Sequence, residues 1–221
     1  MSIGENFLKV KSEIPGEVTL ISVSKTRLVD EIKEVYNLGG RDFGENKVQE
    51  LMDKYEELPK DIRWHLIGHL QRNKVKYLVG RVYLIHSLDS VRLLEEIEKQ
   101  YSKSNITAEV LIQINIGREE SKTGIMLEDL DELIEACEKC SSVKVKGIMT
   151  TIPKGDDESC KYYFVKTKEV YDNLNAKNYK NISMDILSMG MSGDYKVAME
   201  NGSNMVRIGS GVFGERNYNE I

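Results

Sequence analysis

Lys25 is the residue in this chain best placed for covalent chemistry. It closes the run Val18-Thr-Leu-Ile-Ser-Val-Ser-Lys25, which carries no other charge. β-Branched and apolar residues of this kind suit a strand buried on both faces. The lysine then stands at the strand's carboxyl end, which is the functional face of parallel α/β folds. Emergence from an apolar wall disfavours the charged amine. A neutral amine can condense with an aldehyde or ketone to form a Schiff base. Taken alone, the stretch reads just as well as a strand whose terminal lysine reaches water.

The second chemically suggestive stretch is Arg207-Ile-Gly-Ser-Gly-Val-Phe-Gly214. Its glycines fit G-x-G-x-x-G after a strand, a pattern that can mark a dinucleotide fold. That reading is not expected here. Only seven residues follow Gly214, with no second strand and no ribose-binding acid about twenty residues on. The local physics remains: glycines let backbone N–H groups approach a phosphate, and a helix start adds partial positive charge. Gly209 and Ser210 are the candidates for this role, set against a turn that merely closes the fold. Upstream, Leu187-Ser-Met-Gly-Met-Ser192-Gly-Asp194 puts Met191 and Ser192 at the mouth of a neighbouring strand. Ser192 reads as a helix N-cap, as a hydroxyl donor to the same phosphate, or as both. Arg207 sits near the end of an apolar strand, and a buried guanidinium needs a partner. That partner is either an acid or a ring nitrogen of a ligand.

In Trp64-His-Leu-Ile-Gly-His-Leu-Gln-Arg-Asn-Lys74, His65 and His69 are four apart. On a strand-to-loop stretch they share no face, and no third ligand is near, so no metal site is expected. Asn46 and Asn115 place amides at strand ends.

Short apolar runs alternate with helical patterns and supply the frame for these residues. Strands are expected at 18–24, 41–44, 63–67, 82–86, 108–116, 143–149, 184–187 and 204–208. Helices are expected at 29–38, 46–58, 72–79, 91–101, 127–140, 157–174 and 194–201, with Asp156 capping the long one and a final turn after the last strand. An extra amphipathic helix covers about 1–13. Nothing divides the chain, so residues 1–221 are expected to form one domain. Eight strand–helix units imply an α/β single-domain (β/α)8 barrel, a TIM barrel. An open doubly wound sheet is the structural alternative. In a closed barrel, the loop after the first strand neighbours the loop after the eighth. A reactive lysine, an arginine and a phosphate cradle then meet, and that set fits a phosphorylated aldehyde such as pyridoxal 5′-phosphate (PLP).

Bulk properties narrow the classes further. The chain has 221 residues, 40% hydrophobic and 30% charged, as expected of a globular protein with a sizeable core. A net charge of −5 argues against nucleic-acid and membrane-surface binding. No apolar run is long enough to span a bilayer, and the N-terminus lacks the apolar segment of a signal peptide. Three cysteines, Cys137, Cys140 and Cys160, make no disulfide framework and point to the cytoplasm. Cys137 and Cys140 form a C-x-x-C pair that reads as two helix residues one turn apart.

The chain resembles the YggS/PROSC family of PLP homeostasis proteins over almost its whole length. The matching pieces are Val23-Ser-Lys25-Thr, Phe43-Gly-Glu-Asn46, the run Trp64–Lys74, Ser121-Lys-Thr-Gly124, Leu187–Ser192, Val206-Arg-Ile-Gly209 and Phe213-Gly214. Leu66 departs from the family's usual Phe or Met, a change of packing rather than chemistry. The resemblance implies the fold of the alanine racemase barrel domain, known as fold-type III. It implies Lys25 as the Schiff-base lysine and Arg207 as partner of the pyridine nitrogen. Ser192, Gly209 and Ser210 would surround the phosphate, and Asn46, His65 and Met191 would line the pocket. It further implies a carrier that serves intracellular PLP (vitamin B6) and amino-acid homeostasis, without an established reaction.

Three functions therefore compete: the PLP carrier, an amino-acid racemase-like or decarboxylase-like PLP enzyme, and a cofactor-free Schiff-base aldolase. Poor turnover of amino acids is expected. Arg207 has only donors, so a ring nitrogen facing it stays unprotonated and is a weaker electron sink. Racemisation also needs an acid/base group on each face of the α-carbon. In alanine racemase one of these comes from a second domain, for which this sequence shows no counterpart. The same consideration favours a monomer. PLP-accepting apo-enzymes are the partners the carrier reading implies.

Overall fold

A computed structural model describes residues 2–215. Eight parallel strands pair in chain order, and the last closes on the first, giving a closed barrel. They are β1 (Thr19–Val23), β2 (Asp42–Glu45), β3 (Arg63–Leu66), β4 (Leu84–Leu88), β5 (Ala108–Ile114), β6 (Val143–Thr150), β7 (Ile182–Ser188) and β8 (Met205–Ile208). The helices are α1 (Ile3–Ser12), α2 (Val29–Asn37), α3 (Val48–Glu57), α4 (Val91–Ser102), α5 (Leu130–Glu138), α6 (Asp157–Asn175), α7 (Tyr195–Glu200) and α8 (Ser210–Phe213). The barrel alternative is thus the one realised, and the open sheet is not. Residues 1 and 216–221 of the expected domain lie outside the described residues.

Period-two alternation sorts the strand residues between two cores. Ile21, Val23, Leu84, Leu111, Met149 and Met205 fill the barrel interior. Outward residues such as Phe43, Trp64, Ile85, Ile112 and Val206 pack under the helices in a larger cluster. Lys25 continues the inward series Ile21, Val23 beyond the end of β1. In β8, Met205 and Arg207 point inward, while Val206 and Ile208 belong to the outer core.

Two elements differ from the sequence expectation. The helix expected at 72–79 is a 3₁₀ helix, Arg72–Tyr77. Its buried residues Val75 and Leu78 are three apart, a spacing that eclipses side chains on a three-residue turn. The segment before α5 also begins as a 3₁₀ turn, Leu127–Asp129. Asp156 caps α6 as expected, its side chain accepting from Ser159 N. The N-terminal helix α1 starts on a capping box formed by Ser2 and Glu5. All three cysteines are free. Among the described residues, no helix is long and apolar enough to cross a membrane.

Candidate functional site

At the carboxyl ends of β1, β2, β7 and β8 lies a cleft of about 620 Å³. That size suits a small organic ligand. Lys25, Asn46, Met191, Ser192, Arg207, Gly209 and Ser210 all line it. Seven of the eight residues singled out in the sequence therefore converge. Barrel closure explains why: Ile21 pairs with Arg207 and Ser22 with Ile208, so the β1 and β8 loops are neighbours.

His65 is the exception. It was expected to line the pocket, but it is fully buried within the barrel and absent from the cleft wall. The strand alternation that turns it inward also points its ring across the barrel. Its Nδ1 lies 3.0 Å from His86 Nε2, and its Nε2 lies 3.0 Å from Asp42 Oδ1.

Lys25 occupies the turn after β1. Both peptide units flanking it are held by one buried ionic cluster. Lys54 Nζ donates to Ser24 O at 2.7 Å, to Glu45 Oε1 at 2.8 Å and to Glu50 Oε1 at 2.7 Å. The Ser24 hydroxyl donates to Glu45 Oε1 at 2.6 Å, and Thr26 N–H donates to Glu50 Oε1. Burial pushes the Glu45 carboxyl up to about 7, against the pull of Lys54 and Ser24.

The phosphate cradle expected from the sequence has a concrete form. Gly209 N and Gly211 N both donate to Ser192 Oγ, each at 3.2 Å. Two backbone amides thus converge on a single oxygen. Ser192 does not cap α7: that helix begins at Tyr195 with Asp194 as its N-cap residue, and Asp194 Oδ1 instead accepts from Met191 N. Asn46 is held close by Gly68, where a Cβ would fall 2.4 Å from the Asn46 carbonyl oxygen. Only glycine permits that approach.

Arg207 forms the inner wall and is only 4% exposed. It donates to Ser188 Oγ at 2.7 Å and to Thr150 O at 2.8 Å. Neither expected alternative, an acid or a ring nitrogen, is its partner among these contacts. Burial lowers its pKa to about 10, with the Asp194 charge opposing, so it keeps its charge at neutral pH.

The site thus presents an amine, a donor-only cation at its base, and convergent amides at one end. That donor set fits a ligand with an aldehyde, a ring acceptor and a phosphate. Sequence reasoning did not single out Arg27, Lys122, Thr151 or Lys154, which also line the cleft. The Ser121-Lys-Thr-Gly124 motif was the available signal for Lys122.

The model of the alanine racemase N-terminal domain family matches residues 2–217. The pyridoxal phosphate homeostasis protein of Aquifex aeolicus is 48% identical over 201 residues, covering 90% of this chain and 87% of that protein. This chain belongs to the pyridoxal phosphate homeostasis protein family. The family member of Escherichia coli K12 is 38% identical, covering 93% of this chain and 89% of its own length. Among solved structures, PipY of Synechococcus elongatus with PLP bound superposes with a TM-score of 0.88 at 31% identity. It covers 96% of this chain and 100% of PipY. An alanine racemase of Clostridium difficile superposes with a TM-score of 0.78 at 15% identity, covering 100% of this chain and 61% of the racemase, a likeness of fold alone.

Proposed function

We propose that this chain binds PLP in the cleft and holds it covalently for intracellular PLP and amino-acid homeostasis. The observation that carries this reading is the convergence of Lys25, Arg207 and the Ser192–Gly209–Gly211 amide cradle on one cavity. Family membership and the PLP-bound state of PipY support it. Lys25 Nζ condenses with the ligand's aldehyde carbon to form a Schiff base, with loss of water. Ser192, Gly209 and Ser210 hold the phosphate. Arg207 donates to the ring nitrogen and keeps it unprotonated. When bound, PLP supplies an electron sink, which this partner weakens.

The reading favours a carrier over a catalyst. Among the described residues, no tyrosine lines the cleft to serve as a second acid/base group. The proposal takes the chain as a cytoplasmic monomer that hands PLP to apo-enzymes.

A visible absorbance band that borohydride abolishes, with mass added at Lys25, is the expected result for the purified protein. Lys25→Ala should lose the covalent link and retain weak binding through the phosphate. A full covalent band in that variant would sink the assignment. Rapid α-deuteration of L-alanine by the loaded protein in deuterated water, with D-alanine formed, would instead promote the racemase-like alternative.

A further inference from the structure

Behind Arg207 runs a line of polar side chains that the cleft does not use. Asp42 on β2, His65 on β3, His86 on β4, Ser188 on β7 and Arg207 on β8 are each no more than 8% exposed. Successive contacts are Asp42 Oδ1 to His65 Nε2 at 3.0 Å, His65 Nδ1 to His86 Nε2 at 3.0 Å, His86 Nδ1 to Ser188 Oγ at 3.2 Å, and Ser188 Oγ to Arg207 at 2.7 Å. The outer end is anchored by Arg63, whose Nε donates to Asp42 Oδ1 at 2.7 Å.

The chemistry of the two ends fixes the direction of every bond between them. A guanidinium has only donors, so Ser188 must accept from Arg207 and spend its one proton on His86 Nδ1. His86 then carries its proton on Nε2 and donates to His65 Nδ1. His65 likewise carries its proton on Nε2 and donates to Asp42, an acceptor when ionised. Each imidazole is neutral, and every ring nitrogen is used once.

We propose that Asp42, His65, His86 and Ser188 form a one-directional hydrogen-bonded relay that positions Arg207 against the cleft. All four are positioning residues. The relay carries no net proton, because a proton entering from the cleft end would have to leave Arg207. It instead ties the guanidinium of the cleft to a carboxylate at the start of β2, on the opposite side of the barrel.

The charged and titratable groups facing the imidazoles agree with neutral rings. His65 meets Asp42, His86 and the edge of Tyr83 at 5.5 Å, with Arg63 beyond Asp42. His86 meets His65, Ser188 and, through it, Arg207. Burial holds both imidazole pKa values below the ordinary range, outweighing the attraction of Asp42 for a protonated His65. Asp42 itself resists burial: the hydrogen bonds from His65 and Arg63 keep it below the usual carboxylate value.

The relay stands independently of any ligand, and only its effect on a ring nitrogen rests on the function proposed above. The chain holds three histidines, which makes the test direct. ¹⁵N NMR of the histidine-labelled, full-length, PLP-free protein should show His65 and His86 as neutral Nε2–H tautomers from about pH 5 to about pH 8. His69, half exposed, is the solvent-facing reference in the same spectrum. Asp42→Asn cuts the relay at its far end without touching the cleft. It should populate the Nδ1–H tautomer at both His65 and His86. It should also shift the absorbance maximum of bound PLP and weaken PLP about tenfold. Ser188→Ala should do the same to the bound-PLP spectrum, and Ser188→Thr, which keeps the hydroxyl, should restore it. An Nδ1–H tautomer at either buried histidine of the unsubstituted protein overturns the relay. So does an Asp42→Asn effect confined to His65. If the unsubstituted protein binds no PLP, the function above falls, and the tautomers alone decide the relay.

Discussion

Two buried polar groups stand behind the two functional side chains of the cleft, and they are built on opposite principles. Behind Lys25, the cluster of Ser24, Glu45, Glu50 and Lys54 is held by charge. Glu45 Oε1 accepts two hydrogen bonds, whereas its buried Oε2 has no partner among the described residues. Behind Arg207, the relay through Ser188, His86 and His65 to Asp42 is neutral in the middle, and each ring nitrogen has one partner. A buried carboxylate with an idle oxygen can change protonation near neutrality. A chain with a donor-only group at one end and an ionised acceptor at the other has one stable arrangement. The covalent side of the cleft is therefore the adjustable one, and the ring side is the rigid one.

Breaking each group in turn separates the two designs. Lys54→Met strands Glu45, which is fully buried, without its counter-charge. The loss should be about 3 kcal/mol, the range for one partner removed from a buried pair. His86→Leu leaves the Ser188 hydroxyl and His65 Nδ1 without their partner, and about 2 kcal/mol should be lost. Urea denaturation at neutral pH measures both. A His86→Leu loss larger than that of Lys54→Met would reverse the ranking of charge over neutral bonding.

The pH dependence sharpens the comparison, because the two groups pull in opposite directions. The folded-state pKa of Glu45 is raised from 4.5 to about 7, so the unfolded chain releases that proton first. Its term therefore costs stability as pH rises from 4.5 to about 7, and returns it on acidification. His65 and His86 are lowered from 6.5, so their contribution is full above 6.5 and is lost as pH falls below it. In the parent protein these terms offset between about pH 7 and about pH 5. Glu45→Gln removes the first and should make acid destabilisation steeper by on the order of 1–2 kcal/mol across that window. Denaturant midpoints at several pH values test this, and parallel curves for parent and variant would contradict it.

Much of this arrangement was legible in the sequence where function and local pattern coincide. Lys25 and Arg207 are charges at the ends of apolar runs, and Gly209 and Ser192 lie in stretches whose composition marks a strand mouth. Alternation within β3 and β4 turns His65 and His86 inward, and a polar residue at an inward position was the signal available for the relay. What the sequence did not disclose is which of these side chains touch. His86 and Ser188 are 102 residues apart and meet only because the barrel closes. The depth of His65 follows from the same closure. Its ring is too far down the interior to reach the cleft, whereas the longer Arg207 side chain lines it. Ser192 was ambiguous for a related reason: its hydroxyl bonds across to the β8 loop, a contact invisible to any local capping rule.

The smallest effect concerns the turn that joins Lys25 to its charge cluster. Thr26 has φ 63°, in the left-handed region, the residue immediately after the lysine. A β-branched residue there is strained by about 1–2 kcal/mol. The contact from its N–H to the Glu50 carboxylate helps to hold it in place. Thr26→Gly relieves the strain but adds chain freedom to the unfolded state, a cost of about 0.5–1 kcal/mol. The net gain in stability should be under about 1 kcal/mol. If the strained turn holds Lys25 for the ligand's aldehyde, the same substitution should weaken PLP binding although the fold becomes more stable. Thermal melting of the PLP-free protein and a PLP titration give the two numbers. Stability and affinity rising together would show that the turn is strained for some other reason, and that the charge cluster alone positions Lys25.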